Sequence, residues 1–184
     1  MSADAGKLVY KKSGSDAGKL AYKKSGSDAG KLIYKANLGG RTKVTFAWGS
    51  DGKDLDICAF WDAAPSLKVG YGYQSGGEHS SGAYHISYSG DIRGVDTSEW
   101  VEIEQRPWSG GPTTFTVYLN FFGYDAERYP ASTCAVIAAQ ENGETKVLYD
   151  VPCGTTHGSK ATSGHGGVRL HFDSSGFLER MTTV

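Results

Sequence analysis

The sequence predicts an all-β protein: an antiparallel β-sandwich preceded by an N-terminal arm of repeated short strands. Three observations support this: 26 glycines, short runs that alternate apolar and polar side chains, and a repeat near the N-terminus. Aromatic residues make up 12% of the chain, and with β-branched residues they favour strands. The 184 residues suffice for one ordinary domain with a core of its own.

The arm is built from a basic repeat with a period of twelve residues. The segment Asp4–Gly14 recurs as Asp16–Gly26 and begins a third time at Asp28. Each copy contains a short Lys-Leu-x-Tyr-Lys strand, and Ser-Gly-Ser-Asp forms the turn between copies. Leucine and tyrosine are two residues apart and therefore share one face of the strand. We expect them to be the assembly positions: Leu8, Tyr10, Leu20, Tyr22, Leu32 and Tyr34.

We expect residues 1–26, the first two basic repeats, to form the arm and residues 27–184 to form the sandwich. The third repeat then serves as the first strand of the sandwich. Because a twelve-residue unit cannot bury its own apolar face, the copies stack on one another, compete for one slot in the sheet, or add to a neighbouring molecule. Strand exchange of the last kind predicts self-association into filaments. A flexible tail is the alternative.

Charge is divided unevenly between the arm and the body. Residues 1–35 contain eight Lys and three Asp, which sum to +5, and residues 36–184 contain eleven Lys or Arg and seventeen Asp or Glu, which sum to −6. Such asymmetry suggests an interaction tail. Each Lys pair is followed by an Asp, a pattern that disfavours nucleic acid as the partner. The acidic body of a second copy is an equally good partner.

The body shows alternating runs at roughly even spacing, which is typical of a sandwich or barrel. The predicted strands are Lys43–Trp48, Asp54–Trp61, Leu67–Tyr71, Ala83–Tyr88, Trp100–Glu104, Thr114–Phe121, Cys134–Ala139, Lys146–Tyr149, Gly167–Phe172 and Phe177–Met181.

Carboxylates gather at two junctions between loops and strands. Asp54 and Asp56 share one strand face and lie about 7 Å apart along the chain. Like charges this close are costly unless a cation or a basic side chain neutralises them. Calcium suits such loops because it takes several carboxylate and carbonyl oxygens, whereas solvated loop charges are the alternative. The first group is Asp51, Asp54 and Asp56, with Asp62 downstream, and the second is Asp91, Asp96 and Glu99.

Both junctions resemble motifs of the TerD family of tellurite-resistance proteins. Lys43–Trp48, a short loop and Asp54–Phe60 are similar to the family's strand, Gly-Trp loop and Asp-x-Asp-Leu-Asp segment. Tyr88–Gly94 resembles its Ser-Gly-Asp-Asn-x-Thr-Gly loop. The resemblance spans roughly residues 27–184. Two further segments resemble the family's opening strand and late hairpin, namely Ile33–Thr42 and Asn142–Asp150.

The resemblance implies a calcium-binding β-sandwich linked to stress responses. Two positions depart from the family pattern: Gly52 stands where the family has an Asp, and Ile92 where it has an Asn. Fewer carboxylates mean weaker calcium binding, and Lys53 is a candidate for supplying the neutralising charge instead. The implied calcium ligands are Asp54, Asp56 and Asp91, with weaker support for Asp96 and Glu99.

Other classes of function find less support in the sequence. No GxSxG, P-loop or HExxH motif occurs, so we expect neither an enzyme nor a small-molecule substrate. A lectin-like binding module is an alternative. Four residues that combine cysteine and histidine match no familiar zinc spacing, namely Cys153, His157, His165 and His171. The aromatic side chains that could form a carbohydrate platform are Trp61, Tyr71, Tyr73 and Trp108, although core packing explains Trp61 equally well.

The sequence also indicates a compartment. Its three cysteines, Cys58, Cys134 and Cys153, form no CxxC pair. We expect them to pack as small apolar residues in a reducing environment, and we expect Cys58 to be buried. The sequence contains no run of about 18 apolar residues, so we expect no membrane helix. The first residues lack the charged start and apolar block of a secretory signal. We therefore expect a cytoplasmic protein, with release by lysis or non-classical export left open.

Overall fold

A computed structural model of the chain describes residues 7–10, 20–23, 40–105, 112–123 and 127–184. The described residues contain strands and no helix, so none of them belongs to a helix that is long and apolar enough to cross a membrane. Contacts divide the chain into two compact units, Met1–Leu38 and Gly39–Val184. The predicted boundary between residues 26 and 27, and the third-repeat strand with Leu32 and Tyr34, lie outside the described residues.

The first two repeats of the arm pair with each other as an antiparallel two-stranded sheet. Leu8 lies opposite Tyr22, and Tyr10 lies opposite Leu20. The Leu and Tyr positions of the first two copies therefore lie opposite each other across the sheet. The two strands are β1 (Lys7–Tyr10) and β2 (Leu20–Lys23).

The second unit consists of two antiparallel sheets. Its strands are β3 (Thr42–Trp48), β4 (Leu55–Trp61), β5 (Gly77–Ser81), β6 (Tyr84–Tyr88), β7 (Thr97–Gln105), β8 (Thr113–Phe121), β9 (Thr133–Gln140), β10 (Thr145–Pro152), β11 (Gly167–Phe172) and β12 (Leu178–Thr183). The six-stranded sheet has the order β10-β9-β3-β7-β6-β5, and the four-stranded sheet has the order β12-β11-β8-β4.

The core lies between the two sheets and is formed by alternate residues of their strands. In β3, Thr42, Val44 and Phe46 are buried. Lys43, which lies between Thr42 and Val44, is exposed. Trp61 of β4 is 1% exposed, and its ring centroid lies 5.3 Å from that of Phe115. Each such side chain contributes about 1.5–3 kcal/mol relative to an exposed one. Two antiparallel layers around one core confirm the predicted all-β sandwich.

The strand pattern differs from the prediction in two places. Residues 67–71 form no strand, and Val69 makes only isolated bridges to Ala59 and Gln74. The chain turns there because Gly70 has a φ of +128° and lies so close to β4 that a Cβ would be 1.8 Å from the Ile57 carbonyl oxygen. Strand β5 was missed because its residues are polar on both faces and give no alternation.

The three cysteines are free thiols. Cys58 is 1% exposed, as predicted. Cys134 is also buried, and its hydrogen bond with Cys153, together with burial, raises the pKa of the Cys153 thiol. A raised pKa leaves little reactive thiolate at neutral pH. Cys153 therefore behaves as a packing residue in this structure.

Candidate metal site

Three of the predicted ligands converge: one carboxylate oxygen from each of Asp54, Asp56 and Asp91 lies within 4.8 Å of the other two. Asp54 directly precedes β4 and Asp56 lies within it, in the four-stranded sheet. Asp91 follows β6, which belongs to the six-stranded sheet. The group, called here the aspartate cluster, therefore draws on both layers. Among the described residues it is the one group of three or more potential metal-binding side chains.

Asp54 enters the cluster through an unusual backbone conformation. Its φ of +60° lies in the left-handed region, which costs a residue other than glycine on the order of 1–3 kcal/mol. Aspartate tolerates this region better than most residues. The Asp54 carbonyl accepts a hydrogen bond of 2.8 Å from the Phe122 backbone N–H, which anchors the turn against the end of β8. Strain of this kind is typical of functional sites.

Asp56 is the buried member of the cluster, with 2% of its surface exposed. Its Oδ2 atom is buried without a hydrogen-bond partner. Asn120 lies opposite it in β8, but the Asn120 side-chain amide donates to the carbonyl of Thr156 at 3.0 Å. Burial, and then the charges of Asp54 and Asp91, raise the pKa of Asp56 to about 7. The charge of Arg93 opposes this shift only in part.

Asp91 also presents a buried oxygen without a partner, Oδ1. Its other oxygen, Oδ2, accepts two hydrogen bonds from the Arg93 guanidinium, at 3.1 Å and 2.9 Å. The same guanidinium lies 4.0 Å from Oδ2 of Asp54. Arg93 therefore neutralises one of the three negative charges from the solvent side. Burial, and then the nearby charge of Asp91, raise the pKa of Asp54.

The side chain that neutralises the cluster is Arg93, whereas the sequence offered Lys53 as a candidate for that charge. The Lys53 ammonium lies 5.3 Å from the centre of the Tyr129 ring, and it only assists in lowering the pKa of Asp54. The signal for Arg93 was its position two residues after Asp91, within the loop already compared with the TerD pattern.

Glu99 lies outside the aspartate cluster and supports the loop that carries Asp91. It is fully buried, its Oε2 accepts a hydrogen bond of 2.9 Å from the Tyr88 hydroxyl, and its Oε1 accepts one of 2.8 Å from the Ile92 backbone N–H. Burial raises the pKa of Glu99 to about 8. The backbone of Ile92, where the family has an Asn, thus ties the loop to β7 through Glu99.

The remaining acidic residues of the two junctions are separate from the cluster. Asp96 is exposed, has a φ of 50°, and donates its backbone N–H to the Gly49 carbonyl at 3.2 Å. The carbonyl of Asp51 accepts a hydrogen bond of 3.0 Å from the Ala131 N–H. Asp62 accepts hydrogen bonds from Thr114 and Thr116 and pairs with an arginine on β11.

The absence of an acidic side chain at Gly52 has a local cause. A Cβ at this position would lie 2.9 Å from Cε1 of Phe121 and 3.0 Å from Cδ1 of Trp48. Gly52 is buried, and its N–H donates to the Gly49 carbonyl at 3.2 Å. The loop before β4 is therefore packed against two aromatic rings where the family pattern has a carboxylate.

The structure places the other candidates in separate surroundings. Cys153, His157, His165 and His171 form no joint metal-binding group. His165 Nδ1 accepts from the Thr162 N–H at 3.0 Å, and His171 Nε2 hydrogen-bonds to the Thr182 hydroxyl at 3.0 Å. Of the four aromatic residues proposed for a carbohydrate platform, Trp61 lies in the core, and Trp108 lies outside the described residues.

No protein-family model, curated protein or solved structure matches the chain, so the resemblance to the TerD family is carried by the quoted motifs.

Proposed function

We propose that the chain is a non-enzymatic, calcium-binding β-sandwich module of the TerD type that acts in the cytoplasm in a stress response. The observation that supports the proposal is the aspartate cluster, in which two buried carboxylate oxygens, on Asp56 and Asp91, have no partner. Buried charges in proteins are paired or coordinate a metal. A divalent cation would give both of these oxygens a partner.

The chemistry of the donors favours calcium among the common cations. All three are carboxylates, which are the hard oxygen ligands that calcium prefers. Three carboxylates and the Arg93 guanidinium sum to a charge of −2, which a divalent cation balances. Magnesium demands a near-ideal octahedron, whereas ligands drawn from two loops and a strand suit the adaptable coordination of calcium.

Calcium titration by isothermal calorimetry tests the proposal on the full chain. We expect saturable binding that is lost in Asp54→Asn and Asp91→Asn, because each removes a charged ligand from the cluster. Asp96→Asn is the matched control: Asp96 has the same left-handed backbone conformation as Asp54 but is separate from the cluster, and its affinity should equal that of the unaltered chain. Absence of binding heat together with an unchanged melting temperature would remove calcium from the function.

A second candidate function is that of a structural subunit that self-associates through its arm. The observation in its favour is the pairing of β1 with β2, which shows one repeat serving as the strand partner of another. Near-identical strands within one chain can exchange that partner with a second copy. Such a subunit forms filaments and binds calcium weakly or not at all.

Deletion of residues 2–26 tests the second candidate. We expect the full chain to form large species in sedimentation velocity and filaments in negative stain, and the truncated chain to sediment as a monomer, because the spare strands are gone. If both chains are monomers across the concentration range, assembly through the arm is wrong.

A further inference from the structure

We propose that the outer edge of β10 is the surface that receives a Lys-Leu-x-Tyr-Lys strand from the arm of a second copy of this chain. This inference rests on the assembly candidate above and specifies the acceptor surface that the candidate leaves unnamed.

Strand β10 is the outer strand of the six-stranded sheet and hydrogen-bonds on one side to β9. The Gln140 N–H donates to the Glu144 carbonyl at 2.8 Å, so Gln140 and Glu144 form a hydrogen-bonded pair. From this pair onward, hydrogen-bonded and non-hydrogen-bonded residue pairs alternate along the hairpin. By that alternation Lys146 and Leu148 turn their backbone groups toward β9, and Thr145 and Val147 turn theirs outward. Unpaired outward N–H and C=O groups are a template for another strand.

The side chains beside this edge are apolar and exposed. Tyr149 is 71% exposed and Val147 is 43% exposed, the two highest values among the large hydrophobic residues of the described chain. They are two positions apart and therefore share a face of β10. The other outer strand of the same sheet, β5, carries exposed Glu78 and serine side chains instead. An exposed apolar edge in a chain with spare apolar strands indicates a pairing surface.

Strand β10 also reproduces the sequence that an arm strand already pairs with. Its Lys146–Tyr149 segment has the order lysine, two apolar residues, tyrosine, as does β1 at Lys7–Tyr10. Strand β2 pairs with β1 in antiparallel register. A β2-type strand placed on β10 in that register sets Tyr22 opposite Val147, where in the arm it faces Leu8.

Charge and length agree with this occupant. Two exposed carboxylates flank the edge, Asp150 and Glu144, of which Glu144 pairs with Lys146 at 2.7 Å. Residues 1–35 sum to +5 against −6 for residues 36–184. The register shifts between Leu148 and Val151, where Asp150 has a φ of 54°, and the strand ends at a proline. The regular register therefore covers Thr145–Leu148, which is four residues as in β1 and β2, and Tyr149 lies directly after it.

Sedimentation velocity on the full-length chain with Val147 replaced tests the acceptor surface. Val147→Lys puts a positive charge opposite a basic strand and should weaken association by about tenfold or more. Val147→Glu loses a similar apolar contact but introduces a negative charge that attracts the basic strand, and it should weaken association less. Val184→Lys is the matched control, because Val184 is 40% exposed and lies outside β10; it should associate like the unaltered chain.

The outcomes separate this inference from the assembly candidate. If Val147→Lys associates like the unaltered chain while deletion of residues 2–26 abolishes association, arm-driven assembly stands and β10 is not the acceptor. If the unaltered chain is itself monomeric, both are wrong. Equal weakening by Val147→Lys and Val147→Glu would overturn the charge argument for an arm strand. Val147→Pro, which removes an outward N–H, is the second variant, and circular dichroism checks that each variant folds.

Discussion

Asp56 and Glu99 are carboxyl groups held where water cannot solvate their charge. Both have pKa values raised by burial, to about 7 and about 8 respectively. Their difference is in their partners: Glu99 accepts two hydrogen bonds, whereas Oδ2 of Asp56 accepts none. Glu99 is therefore suited to a structural role, and Asp56 is suited to binding an added cation.

The raised pKa values predict an unusual pH dependence of stability in the absence of metal. A carboxyl whose pKa is higher in the folded state stabilises the fold at low pH, and this contribution is lost as pH rises through the folded pKa. In EDTA we expect the free energy of unfolding to decrease from pH 5.5 to 8.5, by at most about 1.4 kcal/mol per pH unit for each group. Urea denaturation at a series of pH values measures this change in the free energy of unfolding.

The matched variant for this prediction is Glu99→Gln, which cannot ionise. Its free energy of unfolding should fall less steeply over the upper part of the range, near the folded pKa of about 8. Parallel slopes for the two proteins would show that Glu99 is ionised in the folded state throughout.

At the scale of the element, the loop between β3 and β4 determines which residues reach the site. Asp54 lies at its end in a left-handed conformation, and Gly52 is fixed against Phe121 and Trp48. At this position the loop packs against two aromatic rings and carries no fourth carboxylate. Its sequence departs from the TerD pattern at the position where the packing leaves no space for a side chain.

We predict that Gly52→Asp, which introduces the residue of the TerD pattern, destabilises the protein and does not strengthen calcium binding. The new Cβ would lie 2.9 Å from Phe121, and overpacking of this kind costs about 1–3 kcal/mol. For a chain of this size, that corresponds to a fall in melting temperature of about 2–4 °C per kcal/mol. Differential scanning calorimetry and calcium titration of the variant measure the two effects; a tighter site in a stable protein would contradict the prediction.

Sequence alone predicted most strands of the body because period-2 alternation survives wherever one face of a strand is buried, as in β3. It failed at β5, which has no apolar face, and at residues 67–71, where the conformation of Gly70 overrides an apolar run. Within the site, the sequence named the three converging aspartates. It did not single out Arg93, although Arg93 follows its partner Asp91 by only two residues. The approach of the same guanidinium to Asp54, which precedes a strand of the other sheet, depends on the topology and is not encoded in local spacing.

At the scale of the whole molecule, the site joins the two layers, which also pack through the core and share hydrogen bonds from the Leu178 N–H to Gln140 and from Trp61 to the His85 carbonyl. Asp56 belongs to the four-stranded sheet, and Asp91 follows a strand of the six-stranded sheet. Binding a cation there stabilises the sandwich as a unit, because the unfolded chain does not hold these residues together.

Calcium should therefore raise the melting temperature of the full chain. At a free concentration of about 100 times the dissociation constant, the stabilisation is about 2.7 kcal/mol. Thermal scans with calcium and with EDTA measure the shift, and Asp91→Asn should abolish it while Asp96→Asn retains it. A shift of equal size in Asp91→Asn would place the bound cation elsewhere.

The position of Asp91 also has a mechanical consequence. Strands within a sheet resist separation through their hydrogen bonds, whereas two sheets can slide over each other along an apolar interface. An ion bound by ligands from both layers would oppose that sliding, because it links the two sheets at one point. A subunit pulled from its ends would then yield at a higher force with the ion bound than without it, and calcium concentration would set the tensile strength of any filament built from it.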